Sequence, residues 1–364
     1  MGIKKGLLSF IKKKYPTIIK NAFINEFENQ TIAIDIFSFL YRYIHTFGKD
    51  DNKWISSMFK HFLIFKKYNI KILPIFDGKP PVEKNDERQF RKEKKEQEDK
   101  KVKSLKEDYQ KYLDTGEVSE LLDHTNSYLT RQKQQVSLFK SKLFKNNNKP
   151  KIDNFEIENY LDTLKHRSNF LSKSDIQLIK ELFDVVRIPY IQAEDEAETL
   201  ACYLLNEGLV DNVISLDSDC IAYGIGKFII DINQRGNCIV FDVDELVKQT
   251  GLTKDQITDL CIICQCDYNS CGNGIEGVGP ARALNLLKTH VDIEGILQTG
   301  YKHDNLNYQR CREIFRSKYP NMHDPIKTID FYKKINIDEV ESFIKLKNIY
   351  INMNDFKFTY LNNE

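Results

Sequence analysis

The apolar residues in the amino-terminal part of the chain alternate between continuous runs and helically spaced sets. The run TIAIDIF (31–37) is β-branched and contains an aspartate, and IKILPIFDG repeats this pattern over 70–78. FSFLYRYIHTF (37–47) and WISSMFKHFLIFKKYN (54–69), which lie between them, have the spacing of amphipathic helices. This order of strands and helices predicts a parallel sheet flanked by helices.

The pattern changes between residues 84 and 151. This segment is long, charged and rich in helix formers, and its last part, 131–151, contains Lys and Arg but no acid. Such a composition is typical of solvated helices with Glu–Lys pairs. We therefore predict a helical insertion between sheet elements, with a loop at NNNKPK (146–151).

Alternating strands and helices return after residue 172. Helical spacing is present in SKSDIQLIKELFDVV, EDEAETLACYLLNEG and TKDQITDLCIICQ. Short apolar runs predict strands at RIPYIQ, NVISL, KFIIDI and CIVFDV. A glycine-rich stretch at 272–279 precedes a helix that we expect to begin near Pro280, and the tail contains one further helical pattern, NIDEVESFIKLKN.

The composition is that of a soluble globular protein. The chain has 364 residues, of which 41% are hydrophobic and 29% charged, and no apolar run is long enough to span a bilayer. The basic start, MGIKKGLLSFIKKKYP, lacks the features of a secretory signal, so the eight cysteines indicate a reducing compartment. Four of them are closely spaced, and we favour small apolar core side chains over a zinc site for Cys261, Cys264, Cys266 and Cys271.

Acidic residues stand at three predicted strand ends and at one helix start: Asp35, Asp77, Asp217 with Asp219, and Glu196 with Glu198. A single acid at such a place is more often a turn or cap residue. The carboxyl ends of parallel strands, however, meet at one edge of a sheet, and converging carboxylates repel each other unless a cation binds them. Because Mg²⁺ prefers oxygen ligands, the pattern predicts metal-dependent phosphodiester hydrolysis.

Two further features bear on an anionic partner. The net charge of +1 is low for a protein that binds nucleic acid, but charge is segregated between the acidic cluster AEDEAE (193–198) and the basic stretch 131–151. Gly274, Gly277 and Gly279 can expose backbone amides at a helix start, which suits phosphate. Taken alone, a glycine-rich turn is a weak signal.

Several motifs, in this order, resemble the flap endonuclease/XPG family of structure-specific 5′ nucleases. They are MGIKKGL, IAIDIFSFLYRYI, ILPIFDGKPP, PYIQAEDEAE, SLDSDCIAYG, CDY and GIEGVGPARA. The resemblance reaches from the start to about residue 290, apart from a poorly matched stretch at about 100–170. It implies an α/β fold with a largely parallel central sheet flanked by helices (the PIN-like 5′ nuclease fold), a helical arch insertion and a C-terminal helix–two-turn–helix.

The resemblance implies seven carboxylates around two Mg²⁺ ions, with Mn²⁺ able to replace Mg²⁺. Carried over motif by motif, they are Asp35, Asp77, Glu196, Glu198, Asp217, Asp219 and Asp267. All seven positions are Asp or Glu here, which argues against an inactivated relative. Within AEDEAE we expect Asp195 to cap the following helix, with Glu198 three residues on, and Glu194 to face solvent.

Three further residues match catalytic positions of the family. Lys84 and Arg91 match a basic pair at the base of the arch; they are seven apart and so can share a helix face. Tyr41 matches a tyrosine that stacks on an unpaired base. Solvated charge for the two cations and a core position for the tyrosine remain open as the ordinary readings.

The resemblance also implies contacts with DNA through residues at both ends of the matched region. They are Gly2, at the processed amino terminus, Gly277, Gly279 and Arg282. The last three lie in the helix–two-turn–helix, whose backbone carbonyls commonly hold K⁺ in this family.

We therefore predict four segments. They are an N-terminal nuclease half at 1–83, a helical arch at 84–172, an internal nuclease half with the helix–two-turn–helix at 173–290, and a C-terminal helical extension at 291–364.

The predicted function is a Mg²⁺-dependent 5′ nuclease that acts on branched or 5′-ended DNA, as a flap endonuclease, a 5′→3′ exonuclease or both, in replication, repair or recombination. The alternatives are a non-catalytic DNA-binding scaffold and an RNA-processing 5′ exonuclease. We expect a monomer without a clamp-binding peptide or a membrane partner, in the nucleus (of the host, for a viral protein) or another reducing compartment that contains DNA, and not secreted. Heavy use of Lys, Asn and Ile is compatible with a large DNA virus.

Overall fold

The computed structural model of the protein describes residues 3, 6–137, 152–269, 274–303 and 306–361. Its strands are β1 Ile19–Phe23, β2 Thr31–Asp35, β3 Lys71–Phe76, β4 Ile191–Gln192, β5 Asn212–Ile214, β6 Lys227–Ile232 and β7 Asn237–Asp242. Its helices in the first half are α1 Leu7–Lys14, α2 Ile36–Phe47, α3 Lys53–Lys67, α4 Asn85–Thr115, α5 Glu120–Ser137, α6 Asn154–Ser168 and α7 Lys173–Val185. Those in the second half are α8 Ala197–Asn206, α9 Val243–Thr250, α10 Lys254–Ile263, α11 Pro280–His290, α12 Ile293–Leu297, α13 Tyr308–Phe315, α14 His323–Lys327, α15 Ile337–Leu346 and α16 Met353–Leu361.

The strands form one sheet in the order β1-β7-β6-β5-β2-β3-β4. The pairs β5–β6, β2–β5, β2–β3 and β3–β4 are parallel, whereas β6–β7 and β1–β7 are antiparallel. The predicted α/β fold with a largely parallel sheet is therefore confirmed. The sequence pattern missed β1, an edge strand whose side chains are only partly buried and so show no apolar run.

The register of the parallel strands brings separate acids to one edge of the sheet. Asp35, the last residue of β2, is paired with Ile75 near the end of β3, and Ile34 is paired with Ile214 at the end of β5. The segments that follow β2, β3 and β5 therefore all leave the sheet at the same edge. The buried helix α8 packs against β2, β3 and β5.

The chain divides into two compact units. The sheet unit comprises residues 1–43, 51–90 and 171–364 and contains all seven strands. The helical unit comprises residues 44–50 and 91–170, with its own small core formed by Leu105, Tyr109, Leu122 and Ile157. Most of α4 is exposed, as expected of a charged helix, while Leu105 and Tyr109 supply its buried face. The predicted loop at 146–151 lies outside the described residues.

No helix in the described part of the chain is both long enough and apolar enough to cross a bilayer.

The loop after β3 is held against the loop before α8 by backbone contacts. The amide of Gly78 donates to the carbonyl of Asp195 at 2.5 Å, and the amide of Lys79 donates to that of Glu194 at 3.0 Å. A Cβ atom on Gly78 would lie 2.2 Å from the carbonyl oxygen of Ala193 and 2.4 Å from that of Glu194. Since backbone atoms have little freedom to move away, this position requires glycine.

We predict that Gly78→Ala destabilises the sheet unit by about 1–3 kcal/mol, because the added methyl group overpacks a fixed backbone contact. Urea unfolding followed by circular dichroism measures this change. Gly279→Ala is the control, since Gly279 has φ −98° and no atom within 4 Å of an added Cβ. Equal stability of the two variants would contradict the prediction.

Candidate functional site

Asp35, the last residue of β2, is the first of the predicted metal ligands along the chain. Its Oδ1 accepts hydrogen bonds from the backbone amides of Phe37 at 3.1 Å and Ser38 at 3.4 Å, in the first turn of α2. The hydroxyls of Ser38 and Ser215 both donate to Oδ2 of Asp35, the latter at 3.5 Å. Ser215 directly follows β5, so this contact joins two neighbouring strand ends.

Asp217 and Asp219 stand on the turn that follows β5. The hydroxyl oxygen of Ser215 accepts from the amide of Asp217 at 3.1 Å, and Oδ1 of Asp217 accepts from the amide of Asp219 at 2.9 Å. Asp219 is fully buried, and neither of its carboxylate oxygens has a hydrogen-bond partner among the described residues. A buried ionised carboxylate in that state is costly unless a cation binds it.

Asp77 follows β3 and lies at the exposed rim of the site. Its Oδ1 accepts a hydrogen bond at 2.8 Å from the amide of Ala197, the first residue of α8. The sequence-based assignment of Asp195 as the cap of this helix is therefore wrong. The helix begins two residues later than Asp195, whose Oδ2 instead accepts from the hydroxyl of Tyr319. Glu194 is exposed, as expected.

Lys84 supplies the positive charge at the centre of the cluster. Its Nζ lies 2.6 Å from Oε1 of Glu196, 3.6 Å from Oε1 of Glu198 and 3.9 Å from Oδ2 of Asp267. Its side chain is buried, and it ends a short 3₁₀ turn immediately before α4. Lys84 therefore does not belong to the helix that carries Arg91, and the two residues do not share a helix face as predicted.

Tyr268 is a member of the site that the sequence reasoning missed. Its hydroxyl donates to Oε2 of Glu196 at 2.6 Å and lies 3.5 Å from Oε1 of Glu198, and Nζ of Lys84 lies 5.0 Å from the centre of its ring. The hydroxyl of Tyr223 joins the same network, at 2.9 Å from that of Tyr268. The signal that could have found Tyr268 is its place in the CDY motif, directly after Asp267.

Loss of hydration and mutual repulsion perturb the titration of these acids. Burial and then the charge of Asp217 raise the pKa of Glu198 well above its usual range, against the opposing charge of Lys84. Burial followed by Asp217 and Asp267 does the same to the pKa of Asp219. Burial also raises the pKa of Asp35, although Ser38 opposes this change.

The acids around Lys84 raise the pKa of its ammonium group, as expected of a cation among negative charges. Burial alone would lower the pKa of its ammonium group, but Glu198, Glu196 and Asp219 outweigh that effect and raise it. Lys84 is therefore charged at neutral pH, yet one ammonium balances only part of the charge of seven acids.

The donor set fits hard divalent cations. It consists of carboxylate oxygens, several of them buried, and Asp219 has lone pairs that no described residue uses. Among the described residues, no three His, Cys, Asp or Glu side chains are arranged so that they could bind a metal ion together. The cation that the acids contact in this structure is the ammonium of Lys84. Cys261, Cys264 and Cys266 are buried in the core, as favoured above, and Cys271 lies outside the described residues.

The other two predicted catalytic residues, Tyr41 and Arg91, lie in different units of the chain. Tyr41 is half-buried on α2; burial raises the pKa of its hydroxyl, as does the charge of Asp77, while a contact with the backbone of Leu171 opposes the change. Arg91 is exposed on α4, in the helical unit. The sheet unit therefore brings Tyr41 and Lys84 to the neighbourhood of the acids.

Gly2 lies outside the described residues. The amide of its neighbour Ile3 donates to the hydroxyl of Ser218 at 3.0 Å, and Ser218 stands between Asp217 and Asp219. The start of the chain is thus attached to the turn that carries two of the acids.

Gly277, Gly279 and Arg282 lie at the start of α11. Gly277 has φ +68°, a conformation that favours glycine, and Gly279 is the residue that precedes the helix. The guanidinium of Arg282 lies 5.2 Å from the ring centre of Tyr301 and donates to its hydroxyl at 2.8 Å. The predicted beginning of this helix at Pro280 is confirmed.

Two regions of the chain match family descriptions: the XPG N-terminal domain over residues 1–98 and the XPG I-region over residues 187–267. The chain is therefore similar to XPG proteins in both of these regions. The predicted resemblance to the flap endonuclease/XPG family is confirmed, and all seven carboxylates fall within the two matched regions.

Proteins similar to this chain are viral as well as cellular. The probable RAD2-like endonuclease 369L of Invertebrate iridescent virus 6 is 28% identical to it over 97% of this chain and 89% of the viral protein. Flap endonuclease-1 from Methanococcus jannaschii has a similar structure, with a TM-score of 0.59 at 18% identity over 96% of this chain and 99% of that protein. The Holliday junction-resolving enzyme GEN1, solved with product DNA and a Mg²⁺ ion, gives a TM-score of 0.54 at 13% identity, over 95% and 70% of the two chains.

Asp77 allows the electrostatics of the metal-free site to be tested. Loss of hydration and then the charge of Asp35 raise its pKa to about 7, whereas an unfolded aspartate ionises near pH 4. The folded state therefore holds a proton that the unfolded state has lost, and its stability falls as the pH rises between these two values.

We predict that Asp77→Asn removes this dependence. In EDTA, the free energy of unfolding of the variant, minus that of the native protein, should rise by about 1 kcal/mol from pH 5 to pH 8, a reduced figure because Asp77 is exposed and screened. Histidines that titrate in this range are common to both proteins and cancel. Urea unfolding measures the difference, Glu194→Gln in the adjoining loop before α8 serves as the control, and a flat or falling difference for Asp77→Asn would contradict the prediction.

Proposed function

We propose that this protein is a metal-dependent, structure-specific 5′ nuclease that hydrolyses phosphodiester bonds in branched DNA. The observation that supports the proposal is the group of acids around the buried Lys84, together with the buried Asp219, whose carboxylate oxygens have no hydrogen-bond partner among the described residues. The similarity to a flap endonuclease and to a junction-resolving enzyme solved with product DNA supports the same class of substrate.

We assign two Mg²⁺ ions, replaceable by Mn²⁺, to the seven acids Asp35, Asp77, Glu196, Glu198, Asp217, Asp219 and Asp267. Carboxylate oxygens without nitrogen or sulfur donors suit these metals. When bound, such ions supply Lewis-acid stabilisation of the attacking and leaving oxygens of a phosphodiester.

The chain's own residues then bind and orient the substrate. We assign to Lys84, which is charged and buried beside the acids, a contact with the scissile phosphate, and to Tyr268 the orientation of the carboxylate of Glu196. Tyr41 would stack on an unpaired base. Arg91 would add a second positive charge, and this role depends on how the helical unit approaches the DNA.

We assign duplex binding to the start of α11. Arg282 is held against Tyr301 and is thereby oriented for a phosphate contact, while Gly277 and Gly279 leave the backbone accessible. Gly2 would contribute at the amino terminus. K⁺ at the helix–two-turn–helix stays a prediction.

The proposal also includes the division of the chain into segments, its oligomeric state and its compartment. We retain the four segments 1–83, 84–172, 173–290 and 291–364, with 84–172 as the arch that guides the single strand. We propose a monomer that works in a compartment containing DNA, the nucleus in particular, without a clamp-binding peptide.

Two other functions are weighed against this one. A non-catalytic DNA-binding scaffold would have no use for buried acids that destabilise one another. An RNA-processing 5′ exonuclease would use the same acids, so only the choice of substrate separates it from the proposal.

The proposal is tested with end-labelled 5′-flap, nicked and four-way-junction DNA, and with matched RNA. We predict Mg²⁺-dependent cleavage of branched DNA near the junction, and a loss of about a hundredfold or more in Asp219→Asn with DNA binding retained, because the substitution removes a metal ligand but no phosphate contact. Asp211→Asn is the control, since its carboxylate contacts the amide of Thr31 at the opposite edge of the sheet. Full activity of Asp219→Asn, or cleavage of RNA alone, would reject the proposal.

We predict a sharp difference between two acids of AEDEAE. Glu196→Ala should lower cleavage about a hundredfold and weaken Mg²⁺ binding in calorimetry, because its carboxylate lies in the cluster with Lys84 and Tyr268. Glu194→Ala should change either quantity less than about threefold, since an exposed acid outside the cluster is screened by solvent. Comparable loss in both variants would show that the assignment of ligands within the motif is wrong.

A further inference from the structure

A second concave site lies at the other end of the sheet. Lys71, the first residue of β3, lines this second site. Asp77, one of the seven predicted metal ligands, follows the last residue of the same strand. The cavity has a volume of about 410 Å³, within the range of small-molecule sites. Both sites belong to the sheet unit, separated by the length of β3.

The floor of this cavity is apolar and rigid. Phe62, Ile70 and Val186 are buried side chains that line it. Its walls include Asn69 and Arg187, which follow α3 and α7 with left-handed backbones at φ 50° and 56°. In each case the next amide bonds back into the helix at 2.9 Å, so the two helix ends are closed and the walls are fixed.

The charged side chains that line the cavity are positive. Among the described residues the lining contains five cations and no acid; the cations are Lys66, Lys71, Arg187, Lys333 and Lys334. Arg187 is already paired with Glu339 at 3.0 Å. Among the described residues, no carboxylate pairs with Lys71, Lys333 or Lys334. A cavity of this kind selects a multiply charged anion.

Aromatic rings stand beside these cations. Nζ of Lys71 lies 5.0 Å from the ring centre of Tyr332, and Nζ of Lys66 lies 5.3 Å from that of Tyr360. Tyr332 is 66% exposed, so most of its ring is open to a ligand. The exposed ring of Tyr332, close to Lys71 and adjacent in sequence to Lys333 and Lys334, provides both surfaces that a nucleotide needs, a platform for the base and cations for the phosphate.

We propose that this cavity binds a nucleotide, with the base against Tyr332 and the phosphate beside Lys333 and Lys334. The ligand chemistry is that of a free mononucleotide or of a phosphorylated strand end. An acidic peptide would satisfy the lysines, but it has no flat ring system to cover Tyr332 unless it carries an aromatic residue. The proposal stands apart from the nuclease activity, since its residues lie at the opposite end of β3 from the acids.

The test is calorimetry on the full chain in EDTA, which leaves the acidic cluster without metal. The probes are dTMP, thymidine, inorganic phosphate, a 5′-phosphorylated hexathymidylate and the tripeptide Asp-Glu-Phe. We expect dTMP or the oligonucleotide to bind at one site, more tightly than thymidine or phosphate. The double variant Lys333→Glu/Lys334→Glu should weaken binding about tenfold or more, because it reverses two charges at the phosphate, and Tyr332→Ala should weaken it as well.

The control is Lys12→Glu/Lys248→Glu, which reverses two exposed lysines that do not line the cavity. Tight binding of dTMP identifies a free nucleotide as the ligand, and binding of the oligonucleotide alone identifies a strand end. Absence of nucleotide binding, binding of the tripeptide in preference to nucleotides, or equal weakening by the control would overturn the proposal. Circular dichroism of each variant establishes that the fold is retained.

Discussion

The balance of charge at the carboxyl edge of the sheet is the constraint on which the rest of this structure depends. The parallel register of β2, β3 and β5 brings acids together that are far apart in sequence, and burial strengthens their mutual repulsion. One buried ammonium, that of Lys84, offsets part of this charge. The site is therefore built to bind further positive charge, which is the property that a metal-dependent nuclease requires.

Hydrogen bonds from other elements hold this strained arrangement in place. The carboxylate of Asp77 caps α8, and the close contact between Gly78 and the loop before α8 fixes the distance between two acid-bearing segments. The hydroxyl of Tyr268 donates a hydrogen bond to Glu196, and Ser215 links Asp35 to the turn of Asp217. Each of these contacts joins segments distant in sequence, so the geometry of the site depends on the complete sheet.

The sheet separates charge of opposite sign. Acids collect where the strands of the sheet unit end, and lysines collect around the cavity at the start of β3. A net charge of +1 for the whole chain conceals this separation. The proposed metal ions at one end and the lysines at the other would therefore offer an anionic ligand two distinct places on one unit.

Much of the fold, and the candidate acids of the site, could be predicted from the sequence itself. Runs such as TIAIDIF and KFIIDI mark strands because a buried strand must be apolar on both faces, and ordered motifs selected the seven acids. Three things were decided only by the tertiary structure: the edge strand β1, the capping of α8 by Asp77 in place of Asp195, and the partnership of Tyr268 with Glu196. Local periodicity indicates which face of a segment is buried. The hydrogen bond of Asp77 with Ala197 joins residues 120 positions apart, so it forms only when the strands are assembled into the sheet.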